Sequence, residues 1–129
     1  MIIGVVEVGN AGLADFFEEY LFEKVEGIVC KKKKAMDLFD ALALLNNFSE
    51  VDELALIVEM IRSEREKNQA FLDALANFEA TTGKTVIKCL FYEDEDGKTI
   101  IADVLDRFIE YAFKVKPEKE QKPEELPFI

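Results

Sequence analysis

Apolar positions along the chain fall into two alternating patterns. Ile2 to Val8 is a near-continuous apolar run centred on Ile3, Val5 and Val6, the pattern of a strand covered on both faces. Gly9-Asn10-Ala11-Gly12 breaks it, Asn10 supplies an N-cap side chain, and Leu13, Phe16, Phe17, Tyr20, Leu21 and Val25 then recur at helical spacing. Beyond Gly27, Ile28-Val29-Cys30 reads as a short strand running into four lysines. Met36, Phe39, Leu42, Leu45 and Phe48 mark a second helix. Leu54 to Val58 is a third strand. Ser63-Glu64-Arg65-Glu66 after it fits a capping box, in which Ser63 and Glu66 satisfy each other's backbone amides. Phe71, Ala74, Leu75 and Phe78 form the buried stripe of the third helix, and Gly83 ends it as a left-handed glycine. Val86 to Tyr92 is a fourth strand and Glu93 to Gly97 an acidic turn. Ile101, Val104, Leu105, Phe108 and Ala112 mark the last helix.

The order βαβαβαβα calls for a mainly parallel sheet with right-handed crossovers and helices on both faces, its active loops at the strands' carboxyl ends. Residues 1–114 form one α/β domain. The three prolines, Pro117, Pro123 and Pro127, fall among lysines and glutamates in a tail of residues 115–129. Its apolar end, Leu126-Pro127-Phe128-Ile129, reads as a loose terminus or as a segment that docks on a neighbouring subunit.

Composition narrows the functions open to such a domain. A chain of 129 residues, half of them hydrophobic with eleven phenylalanines, suits one well-filled core. Its 16 basic and 27 acidic residues give a net charge of −11, which repels nucleic-acid phosphates and anionic lipid. The basic run Lys31 to Lys34 reads as an edge-strand guard or solvated strand end, with an anion site as the alternative. The opening residues lack a basic n-region and turn polar within nine residues, so neither a signal peptide nor a membrane span is expected, and the protein is read as cytoplasmic. Cys30 and Cys89, both in strands, are expected to be free thiols. With no histidine and no CxxC pair, an ordinary zinc site and a Ser-His-Asp or Cys-His arrangement are excluded.

The remaining candidates lie at the strand ends. Gly9-Asn10-Ala11-Gly12 opens a helix as a phosphate-binding turn would, but lacks the full glycine fingerprint, and a simple tight turn explains it. Gly83-Lys84-Thr85 is not a P-loop, since it leads into a strand. Glu7, Glu59 and the Glu93 to Asp96 run would be gathered at one sheet edge, where carboxylates suit magnesium or calcium if two or three converge; chance placement of acids is the alternative. Arg62 and Ser63, at the start of the third helix, form a candidate anion site or a plain N-cap with a solvated arginine. Tyr92 is placed to line a pocket.

Several segments together resemble the lumazine synthases and archaeal-type riboflavin synthases. Ile3-Gly4-Val5-Val6 with Asn10 is similar to their first strand and turn, and Asp37-Leu38 with Ala41 and Leu45 to the start of their second helix. Met60-Ile61-Arg62-Ser63-Glu64 is similar to the loop after strand three. Thr82-Gly83-Lys84 through Val86-Ile87 to Tyr92-Glu93-Asp94-Glu95 resembles the archaeal strand that ends in His-Glu-Asp-Glu. Tyr92 stands where that histidine would be, and the Pro-Gly of the second loop is replaced near Lys33 and Lys34. The resemblance implies a three-layer α/β/α, flavodoxin-like fold with strand order 2-1-3-4. It also implies a ribityllumazine- or flavin-like ligand, no metal or redox cofactor, and pockets shared between subunits of a homo-oligomer. It places substrate contacts at Asn10, Asp37, Arg62 and Ser63 and catalytic positions at Tyr92 and Glu93, for a transferase of that type. A non-catalytic relative binding a ligand or partner, and an unrelated flavodoxin-like regulatory module with an acidic metal site, are the alternatives.

Overall fold

The computed structural model describes residues 1–9 and 12–114. Four strands, β1 (Ile2–Val8), β2 (Val29–Ala35), β3 (Glu53–Met60) and β4 (Val86–Tyr92), alternate with four helices, α1 (Leu13–Lys24), α2 (Leu38–Asn47), α3 (Arg65–Thr82) and α4 (Gly97–Ile109). A π-helical turn at Glu110–Lys114 follows. The strands form one parallel sheet in the order β2-β1-β3-β4, with Val5 opposite both Lys32 and Ala55 and with Ile57 opposite Cys89. Helices cover both faces, a three-layer α/β/α arrangement of the predicted order. No helix among the described residues is long and apolar enough to cross a membrane.

Alternation along the strands divides the core in two. Ile3, Val5, Ala55, Ile57, Cys89 and Phe91 meet Leu13, Phe17 and Leu21 of α1 and Ile101 and Leu105 of α4. Val6, Leu54, Leu56, Val58 and Val86 meet Leu38, Ala41 and Leu45 of α2 and Phe71 and Leu75 of α3. Ile3, Val5, Val6 and the run Ala55 to Val58 are fully buried, which is why β1 and β3 read as continuous apolar runs. Gly4 lets α2 close down: a Cβ there would lie 2.8 Å from the ring of Phe48.

Three local expectations are corrected. The buried stripe of α2 is Leu38, Ala41, Leu45 and Phe48, whereas Phe39 is half exposed and Met36 almost wholly so. The Asp37 carboxylate accepts from the Asp40 amide at 2.8 Å, and this cap starts the helix at Leu38 and sets its facing. The third helix begins at Arg65, with Glu64 at the N-cap and no side-chain cap, so Ser63 and Glu66 form no capping box. At α1 the N-cap position is Gly12, in the left-handed region at φ 72°, rather than Asn10, which lies outside the described residues, as does the tail 115–129.

β2 is longer than expected and runs through all four lysines as an edge strand. The Lys32 ammonium donates to Asp15 at 2.8 Å and Glu18 at 2.7 Å, tying the edge to α1, while Lys33 lies 4.5 Å from the centroid of the Phe48 ring. Lysines along an exposed edge oppose pairing with another strand. The small cleft bordered by Lys32, Lys33 and Lys34 has Glu7 and Asp15 in its wall, so Lys32 and Lys34 face carboxylates, a poor setting for an anion.

Candidate functional site

In this strand order the connections from β1 and β3 depart to opposite faces of the sheet, so the carboxyl ends of these neighbours define a switch point. Four of the acids read as an edge cluster hold backbone amides there, while Asp94 pairs with the Arg62 side chain. Glu7, 2% exposed, accepts from the amides of Leu13 at 3.0 Å and Ala14 at 3.1 Å, satisfying the start of α1 in place of an N-cap side chain. Glu93 accepts from the Arg62 amide at 2.8 Å, Glu95 from the Tyr92 amide at 2.7 Å, and Asp96 from the Lys98 amide at 3.1 Å and the Thr99 hydroxyl at 2.7 Å. The Thr99 hydrogen bond holds the Asp96 carboxyl below its ordinary range. No three acidic or cysteine side chains among the described residues assemble into a metal-binding group.

Arg62, Tyr92, Glu93 and Asp94 converge from the β3–α3 and β4–α4 loops. The Arg62 guanidinium donates through Nε to Asp94 at 3.1 Å and through Nη2 at 2.9 Å, and its centre lies 4.0 Å from the centroid of the Tyr92 ring. The hydrogen bond to Asp94 raises the Arg62 pKa, and the same contact lowers that of Asp94. Arg62 and Ser63 of the candidate anion site are therefore differently engaged. The arginine is paired with a carboxylate, and Ser63 is an exposed turn residue ahead of the helix.

Two clefts open at this end of the sheet. One, of about 390 Å³, is walled by Arg62, Arg65, Asn68, Gln69, Leu72 and Tyr92. The other, of about 180 Å³, lies between the starts of α2 and α3, with Asp37, Glu59, Glu64, Lys67 and Asn68 among its walls. Of the residues predicted from sequence, Arg62 and Tyr92 share a cleft and Glu93 holds the Arg62 amide. Asp37 borders the second cleft, its carboxylate occupied as a helix cap. A cleft of about 600 Å³ between β4 and α4 and another of about 320 Å³ beside Val51 to Leu54 lie toward the strands' amino ends, away from the switch point.

Asn68 belongs to both carboxyl-end clefts and was missed by sequence reading. It stands three residues before Phe71 on the stripe that continues to Leu75, and it is 5% exposed where an apolar side chain is expected. Its Nδ2 donates to the Ile61 carbonyl at 2.8 Å, pinning the β3–α3 loop, and its buried Oδ1 has no partner among the described residues. Leaving such an acceptor unpaired costs about 1–3 kcal/mol. A polar residue in register with an apolar stripe was the available signal.

The arrangement has a flat arginine backed by an aromatic ring, a second arginine, two amide side chains and one aliphatic wall. These groups suit a planar, acceptor-rich molecule held by hydrogen bonds and stacking. No protein-family model matches the chain, and comparison with curated proteins finds no relative.

Proposed function

We propose that the protein binds a ribityllumazine- or flavin-like small molecule at the carboxyl ends of β3 and β4, as a divergent relative of the lumazine and riboflavin synthases. The observation that carries this reading is the convergence of Arg62, Arg65, Gln69 and Tyr92 on a single cleft of about 390 Å³, within the range of small-molecule sites. A guanidinium held over a tyrosine presents a flat face on which a fused ring stacks, and the amides supply edge contacts. Binding is the primary role. Glu93, the acid nearest the position of the missing histidine, is engaged with the Arg62 amide, and that leaves the Tyr92 hydroxyl as the group available for proton transfer.

Titration of the purified protein with riboflavin and with 6,7-dimethyl-8-ribityllumazine, followed by ligand fluorescence, tests the reading. Saturable binding is expected, weakened at least about tenfold by Tyr92→Ala, which removes the ring that positions Arg62. Absence of saturation with either compound refutes it, and turnover of the bound lumazine would add catalysis to binding. The same reading expects a homo-oligomer with the cleft near a subunit boundary. Light scattering that gives 14.7 kDa at all salt concentrations would remove that part of it.

A further inference from the structure

Resting on that reading, we infer that Asn68 selects the ligand's edge, its Oδ1 accepting a hydrogen bond from a ring N–H that lies between two carbonyl groups. The orientation of the amide is set by the protein. Nδ2 donates to the Ile61 carbonyl at 2.8 Å, and a flipped amide would set two oxygens against each other, so Oδ1 is the free atom. That oxygen is buried and has no partner among the described residues, and the residue, 5% exposed, lines both carboxyl-end clefts. Native proteins pair such groups, and with no partner among the described residues this acceptor is open to a ligand's donor.

The neighbours specify what flanks that donor. Arg65 and Arg62, the latter with its Nε and Nη2 held by Asp94, carry only donors, and the Gln69 Nε2 is turned to Asp73 at 2.9 Å. A cleft offering arginine donors beside a buried acceptor complements an edge that reads acceptor, donor, acceptor. An imide has that edge, as does a lactam beside a second carbonyl. An N-alkylated imide of the same size and ring system has lost the donor, and it would leave Oδ1 unpaired as well as place a methyl group against it. Sites built around a buried polar group reject analogues lacking its partner far more strongly than they reject a change in apolar bulk.

The test compares riboflavin with 3-methylriboflavin on the wild-type chain, and then on Asn68→Leu, which keeps the volume and removes the acceptor. Wild type should bind the parent compound at least about tenfold more tightly than the methylated one, and Asn68→Leu should bring that ratio close to one. Equal binding of both compounds by wild type overturns the assignment of Asn68 while leaving the proposed ligand class intact. A folded Asn68→Leu that keeps the wild-type ratio overturns it as well, because the discriminating acceptor then lies elsewhere. Binding of neither compound by wild type removes the proposed function and this inference together.

Discussion

The Arg62 guanidinium sits 4.0 Å from the centre of the Tyr92 ring, joining the loop after β3 to the end of β4 across 30 positions of sequence. The ring alone does not hold it, since Asp94 receives two of its N–H groups. Charge, stacking and a fork geometry thus fix one side chain from two directions, and the cleft wall is preorganised.

That latch is expected to titrate in acid. Asp94 has a lowered folded-state pKa because of Arg62, so its contribution to stability is complete above the ordinary aspartate range and is lost as pH falls through the lowered value. Asp94→Asn should melt below wild type at pH 7, and the gap should close as the pH is brought down to strongly acidic values. Melting curves across that range check it. A gap independent of pH would show that the carboxylate's charge does not matter.

Glu7→Ala should lower stability by about 3 kcal/mol, because two buried amides of α1 lose a charged acceptor together. Glu7→Gln should lose roughly half as much, since its amide oxygen still serves one of the two N–H groups. Urea unfolding measures both. A loss under about 0.5 kcal/mol for the alanine variant would mean that water replaces the carboxylate.

Gly4→Ala should cost about 1–3 kcal/mol, the usual penalty for overpacking, because its new methyl meets the Phe48 ring at 2.8 Å. Combined with Phe48→Leu, the two losses should sum to less than their separate values, because the clash disappears with the ring. Additive losses in a double-mutant cycle would place the strain elsewhere.

Both cysteines are free, and burial pushes the Cys30 thiol up to about 11 and the Cys89 thiol up to about 12. Near pH 8 the native protein should therefore react slowly with a thiol reagent, Cys89 more slowly than Cys30. Denaturation without reductant should release two thiols per chain. Rapid native labelling of Cys89 would show that β4 opens locally.

Sequence legibility followed burial. β1 and β4 were bounded correctly because runs such as Ile2–Val8 have few ways to fold, and the parallel order followed from the regular alternation of strand and helix. At α2 the large side chains Met36 and Phe39 drew the stripe to the wrong face, whereas the Asp37 cap, a local polar signal, settled which residues turn inward. Arg62 and Tyr92 were legible as candidates by their place at strand ends. Their mutual contact was not, because it depends on Asp94, which lies 32 positions beyond Arg62.

Hydrophobic spacing by itself determined the number of elements, their order and the parallel sheet, since an apolar run can be satisfied only by burial and each helix stripe needs a sheet face to cover. Tertiary structure decided the use of the polar residues whose partners lie beyond their own helix turn. Glu7 caps a helix instead of binding metal because β1 brings it under the first amides of α1, and Asn68 keeps an open acceptor because the Ile61 carbonyl takes its only donor group. Hydrogen bonds are directional and reach about 3 Å, so their partners are set by where the packed elements leave them and not by the order of residues along the chain.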